Sequence, residues 1–264
     1  MSAGQESSIA STPVKSSWVP PKWYHLRTRV LLLLPLALLV AAGIIVPRQI
    51  RQQRAITALK QHNAVVRLQP ASLLGAELLI PADYADEIVE VYWRDPALDE
   101  RHLAILAGIT SIEKLELSGA PVSSAGLANL KGLFKLYMLH LDGTQVGDDG
   151  LAHLARLQSL AVLSLDHTRV TDAGLAQLER LPKLERLFLN QTAITDAGLA
   201  HLGKLSQLKE LSLVKTKVTD AGLEHLKGLK ELEMLKVYDT EVTQQGMDEL
   251  HAALPKCVIW LPSL

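Results

Sequence analysis

One cysteine, Cys257, in 264 residues excludes an internal disulfide framework and any cysteine-rich metal site. Aromatic side chains make up 4 % of the chain while leucine recurs throughout, a composition ill suited to the wall of a deep catalytic pocket. A charge excess is missing too. Lys plus Arg number 27 and Asp plus Glu 28, so there is no net basic field to hold nucleic acid, and partners must be selected by shape and local chemistry. Phosphate loops, nucleophile elbows and zinc signatures are absent. The length fits one large domain or two small ones, enough to bury a sizeable core.

Long apolar runs are confined to residues 30–46, "VLLLLPLALLVAAGIIV", seventeen residues without a charge. The run is a little short of a hydrocarbon core of ~30 Å, but Leu26 extends it and Arg27, Arg29 and Arg48 can reach the headgroups. Trp18, Trp23 and Tyr24 stand where an interfacial aromatic belt belongs. Charge clusters on both flanks argue against a buried core helix. A cleaved signal peptide would have an unusually long polar leader and no small-x-small cleavage site. The run is therefore expected to be an uncleaved transmembrane helix that brings the chain into contact with membrane lipid. Positive charge is balanced across it, with Lys15, Lys22, Arg27 and Arg29 before and Arg48, Arg51, Arg54 and Lys60 after. A short tail ahead of one early span favours an extracytoplasmic C-terminal part.

Residues 1–29 have no apolar periodicity and are expected to be a disordered tail. Over 47–69, Ile50, Ala55, Leu59, His62 and Val66 fall at helical spacing among Arg and Gln, which predicts a juxtamembrane amphipathic helix. Such a helix could lie on the bilayer, carry a coiled-coil contact or hold the next domain away from the surface. Residues 70–87 carry the apolar clusters Leu73–Leu74 and Leu78–Ile80, suited to covering the first open face of a stack.

From Ile88 the chain repeats. Six units of twenty-four residues and one of twenty-five fill 88–256, and "CVIWLPSL" over 257–264 begins a truncated eighth. Each unit changes period midway. In "LAVLSLDHTRVTDAGLAQLERLPK", Leu160, Leu163 and Leu165 share one face of a short strand, while Val170, Leu175, Leu178 and Leu181 follow at helical spacing. Thr171 stands where a helix N-cap belongs, and Asp148, Asp172, Asp196 and Asp220 fall in first turns, where negative charge is favoured. Gly126, Gly150, Gly174, Gly198, Gly222 and Gly246 predict close approach to a neighbour. Thr144, Thr168, Thr192, Thr216 and Thr240 recur at the strand exit, where a buried hydroxyl can satisfy the turning backbone. A single unit cannot bury its leucine face, so copies must stack.

The "VTDAGL" and "ITDAGL" segments resemble the leucine-rich repeat family, in particular the cysteine-containing subclass of the substrate receptors of F-box ubiquitin ligases, in the shorter twenty-four-residue version of many bacterial proteins. The resemblance covers 88–256. It implies an α/β solenoid with a parallel sheet on its concave face and short helices on its convex face, used to bind proteins or peptides. Nothing ahead of the repeats looks like an F-box, so a ligase adaptor does not follow. "RDPALDERHL" in the first unit departs from the pattern and suggests a capping repeat.

No catalytic, cofactor or metal site is expected. His153, His201 and His225 occupy one position of three units, but on the helix and without closing carboxylates or thiols. An acid–base pair among His140, His167, Asp142 and Asp166 would lie on an open surface with nothing to exclude water. Alternation along the strands turns positions 3, 5 and 7 of each unit away from the core. These supply a diagonal apolar track of Met138, Val162, Phe188 and Val214, with Tyr92, His140, Asp142, Asp166, Asn190 and Tyr238 around it, as the expected site for a protein or peptide partner. The repeat domain is expected to be monomeric. The competing reading is an assembly protein that self-associates through its juxtamembrane helix and repeat edges.

Overall fold

A computed structural model describes residues 48, 50–70, 86–98 and 100–260. The tail expected over 1–29, the transmembrane helix expected over 30–46 and most of the cap expected over 70–87 lie outside those residues. Among the described residues no helix is long and apolar enough to cross a membrane.

A first helix, α1, covers 50–61. Nine strands follow: β1 (Val65–Pro70), β2 (Asp86–Tyr92), β3 (Lys114–Glu116), β4 (Met138–His140), β5 (Val162–Ser164), β6 (Arg186–Phe188), β7 (Glu210–Ser212), β8 (Met234–Lys236) and β9 (Val258–Trp260). They form one sheet in chain order, with β1 antiparallel to β2 and every later pair parallel. Met138 is paired with Val162, Val162 with Arg186 and Arg186 with Glu210, so the strand register advances by the repeat period. Between strands run α2 (Glu100–Leu103), a 3-10 turn (Ala125–Leu130), α3 (Asp148–Leu154), α4 (Asp172–Leu175), α5 (Asp196–Leu202), α6 (Asp220–Leu223) and α7 (Gln244–Ala253). Strands stand ~4.8 Å apart while helices need more room, so the stack curves toward its sheet.

The leucines close one core from Ala55 to Cys257. Leu160, Leu163, Leu165, Val170, Leu175 and Leu178 are all fully buried. At the strand exits, the hydroxyls of Thr144, Thr168 and Thr216 each donate to a leucine carbonyl three residues back at 2.6 Å.

The Thr-Asp-Ala-Gly segment is a joint between repeats. Asp148 Oδ1 accepts from the Thr171 N–H at 2.8 Å, and its Oδ2 accepts from the Thr171 hydroxyl at 2.6 Å. Asp172 holds Thr195, Asp196 holds Thr219 and Asp220 holds Thr243 in the same way. Glu100 plays this part toward Ser123, and Ser124 Oγ accepts from the Gly147 N–H at 3.0 Å. The first-turn aspartates thus do more than complement a helix dipole. Thr171 also departs from expectation, because its hydroxyl serves Asp148 and makes no cap bond to its own helix. A Cβ on Gly174 would stand 3.0 Å from Asp148 Cγ, so the glycine makes room for the carboxylate of the preceding repeat.

The helix expected over 47–69 ends at residue 61, and 65–70 form β1 instead, because Val65, Val66, Arg67 and Leu68 pair with the first repeat strand. The apolar face of α1 is covered: Ala55, Ile56 and Leu59 are buried in the core. Gln52, 2 % exposed, donates to Ser111 Oγ at 2.8 Å and accepts from the Ile88 N–H at 3.3 Å. Trp93, fully buried, donates from Nε1 to the His62 carbonyl at 2.9 Å. Helix α1 and strand β1 therefore cap the solenoid at its first repeat. At the other end Cys257 enters the core, and burial pushes its thiol up to about 11.

Candidate functional site

On each of β3 to β8 the central leucine turns inward and its two neighbours face outward. Met138 and Val162 stand side by side on adjacent strands. Phe188 lies between Ser164 and Ser212, one step further along. All three apolar groups are half-buried. Val214 departs from the expected track: it is 6 % exposed, because beyond β7 its backbone is locked between repeats, its N–H donating to Asn190 Oδ1 at 2.8 Å and its carbonyl accepting from the Gln191 N–H.

The polar residues beside the track are largely committed within the stack. Asp142 accepts from the Ser118 hydroxyl at 3.0 Å, from the Ser164 hydroxyl and from the Asp166 N–H. Asp166 accepts from the Asn190 N–H and side-chain amide, both at 2.7 Å. Asn190 in turn accepts from the Ser212 hydroxyl at 2.6 Å. Asp142, Asp166 and Asn190 form a ladder in which each repeat holds the backbone of the next. Burial, aided by the nearby Asp142, raises the Asp166 pKa despite the Asn190 bonds.

The first strands of the face carry paired charges that the sequence reading did not single out. His140 Nδ1 lies 2.9 Å from Glu116 Oε2, with Arg94 at 3.5 Å. Burial opposes the charge on Glu116, yet the bonds from His140 and Ser118 outweigh it and hold the carboxyl down at about 2. The same contact raises His140. Glu90 is lowered chiefly by Lys114, whose ammonium lies 2.9 Å away. The spacing of twenty-four between Glu116 and His140 was the available signal, since equal positions of successive units are neighbours across the sheet. An open cleft of about 550 Å³ adjoins this end, lined by Asn63, Val65, Tyr92, Arg94, Asp95 and Pro96.

Toward the C-terminal end the Lys236 ammonium lies 2.8 Å from Glu210 Oε1 and 5.8 Å from the Phe188 ring centroid, and Tyr238 is half-buried. Val258 pairs with Met234 and Trp260 with Lys236, and both apolar side chains are 53 % exposed. On the helical side His201 Nδ1 lies 2.7 Å from Glu179 Oε1, which Lys204 shares at 2.9 Å. Among the described residues no three His, Cys, Asp or Glu side chains converge to hold a metal ion.

Parallel strands one repeat apart, backed by short helices over a leucine core, match a solved structure of internalin C2 from Listeria monocytogenes. The fold is a leucine-rich repeat solenoid. The two chains are 24 % identical, with a TM-score of 0.54 over 67 % of this chain and 74 % of the internalin. Similarity extends to 363 solved chains. No protein-family model and no curated protein matches the chain.

Proposed function

We propose that the chain is a non-catalytic recognition module, anchored in a membrane by residues 30–46, whose sheet face binds a protein or peptide. The carrying observation is the distribution of exposed large apolar side chains. Val65, Tyr92, Val258 and Trp260 lie on the sheet face, at 66 %, 40 %, 53 % and 53 % exposure, while Ile50 and Phe134 lie elsewhere. Half-buried Phe188, set among Lys236, Ser164 and Ser212, adds an aromatic anchor inside a polar rim, the usual make-up of an interface hot spot. The repeats lie outside the cytoplasm.

Proximity labelling at the membrane supplies a partner, and binding to the repeat domain is then measured. Phe188→Ala weakens it by about 2 kcal/mol or more, roughly thirty-fold, while His201→Ala on the helical side does not. Loss of binding on altering the helical side alone overturns the assignment. Orientation is read separately: with Cys257→Ser, a new cysteine near the C-terminus reacts with an impermeant maleimide in intact cells, and reaction only after permeabilisation refutes it.

A second reading, assembly through the repeat edge, draws on β9. Its outer side has no neighbouring strand among the described residues, and it exposes Val258 and Trp260. A repeat domain that is monomeric by light scattering discards that reading. A dimer abolished by Trp260→Lys favours it.

A further inference from the structure

We propose that the outward face of α1 docks on anionic lipid headgroups of the leaflet from which residues 30–46 emerge, an inference that rests on reading those residues as a membrane anchor and not on which side of the membrane the repeats lie. The inward face is settled: Gln52, Ala55, Ile56 and Leu59 recur at helical intervals and are buried against the first repeat. That leaves Arg54, Thr57 and Gln61 exposed on the opposite side and Arg51 and Lys60 exposed on its two flanks, with the Arg51 guanidinium beside Gly108 of the first repeat. The helix contains no Asp or Glu. Arg48, just ahead of it, is neutralised by Glu87 at 2.6 Å, whereas Arg51, Arg54 and Lys60 have no ion-pair partner among the described residues. Elsewhere on the helical side Lys204 has Glu179 opposite it and Lys227 has Glu224.

Chain length ties this face to a surface. The apolar run ends at Val46, five residues before Arg51, so even a fully extended link places Arg51 within roughly 18 Å of where an inserted run leaves the bilayer. Ile50, 41 % exposed, lies at the end of the helix nearer that run. A helix whose apolar side is already buried cannot insert as an amphipathic helix does, so its attraction to a bilayer is electrostatic. Each basic residue near an anionic surface multiplies the docked population about five-fold, and three unpaired cations multiply it on the order of one hundred-fold.

The test uses the full chain with Cys257→Ala and Thr57→Cys, labelled at 57 with an environment-sensitive dye. It is reconstituted into vesicles of phosphatidylcholine, with or without phosphatidylserine, that carry a headgroup-spin-labelled lipid as quencher. The chain is expected to resist an alkaline carbonate wash in both vesicles. Quenching at 57 is expected to be at least about two-fold stronger with phosphatidylserine, and to lose that excess in high salt and in the triple variant Arg51→Glu, Arg54→Glu, Lys60→Glu. A chain that resists the wash but is quenched equally in both vesicles, or whose triple variant behaves like the parent, overturns the docking and leaves the anchor standing. A chain that washes off removes the anchor, and the docking with it.

Discussion

Gly222→Ala tests the joint between repeats. A Cβ at 222 would lie 3.0 Å from Asp196 Cγ, closer still to its Oδ1, and 3.1 Å from Leu199 Cδ2. The leucine methyl can give way, but the carboxylate is held by the Thr219 N–H at 2.8 Å and the Thr219 hydroxyl at 2.7 Å. Displacing it forfeits two hydrogen bonds to a charged group, ~1.5–3 kcal/mol each, against a gain of up to ~1 kcal/mol for Ala over Gly in a helix. Gly222→Ala should therefore cost about 2–5 kcal/mol in urea unfolding of the chain from residue 48 onward, with the m-value unchanged. Asp196→Ala alone should cost about as much, since it breaks the same two bonds. In the Asp196→Ala background the sign reverses: only the Leu199 methyl, which can give way, stands near the new Cβ, and Gly222→Ala becomes neutral or stabilising by up to ~1 kcal/mol. Gly143→Ala is the comparison, because its φ of +66° strains a side chain while the nearest atom to its Cβ is 4.0 Å away, so backbone strain of ~1 kcal/mol is the whole cost. If the effects of Gly222→Ala and Asp196→Ala add within ~0.5 kcal/mol, glycine is not there to admit the carboxylate and the account of the joint is wrong.

Leu187, fully buried on β6, should cost ~2–5 kcal/mol on change to Ala, and an unchanged thermal melt would refute its place in the core. Gln52→Leu should cost ~1–3 kcal/mol, because the Ile88 N–H and the Ser111 hydroxyl lose their buried partner, and should speed hydrogen exchange at Ile88 before the central repeats. The Glu116–His140 pair makes stability depend on pH at both ends. The Glu116 contribution is complete above its unfolded value of 4.5 and is lost as pH falls toward about 2, whereas that of His140 is complete below 6.5 and is lost as pH rises through its raised value. The pair therefore contributes most between 4.5 and 6.5, on the order of 3 kcal/mol at most from Glu116. His140→Gln should flatten the alkaline side of this window, and an unaltered profile would contradict the pairing.

The solenoid was legible because its signal is redundant. Leu163 alone could belong to many folds, but Leu163, Leu187 and Leu211 at one spacing admit one register, and the sheet has it. Interactions between copies were harder to see. The sequence places Thr171, Asp172 and Gly174 within one helical turn, which suggests a local cap, yet their partners are Asp148, Thr195 and Asp148 again, one repeat before or after. The cap was obscured for a related reason: α1 has a helical period that explains its apolar face without revealing that the first repeat covers it. Val214 was misplaced because alternation holds only while the chain stays extended, and the strand ends at Ser212.

What repeats and what varies along the solenoid separate structure from recognition. Positions that meet their own copies in the next unit have few solutions, so Leu, Thr, Asp and Gly recur at the core and the joints. Positions 3 and 5 of the strands meet unlike neighbours: Glu90, Lys114, Met138, Val162 and Arg186 in one row, Tyr92, Glu116, His140, Ser164 and Phe188 in the other. Some of this variety is internal pairing, as Glu90 with Lys114 and Glu116 with His140 demonstrate. Met138, Val162 and Phe188 have no such reason within the stack, since stability is served by the leucines behind them and solubility would be better served by charge. Under the function proposed above, these half-buried apolar groups are the ones a partner would remove from water. Phe188→Ala is therefore the decisive variant: a loss of partner binding without loss of stability assigns that side chain to recognition, and a loss of both assigns it to the fold.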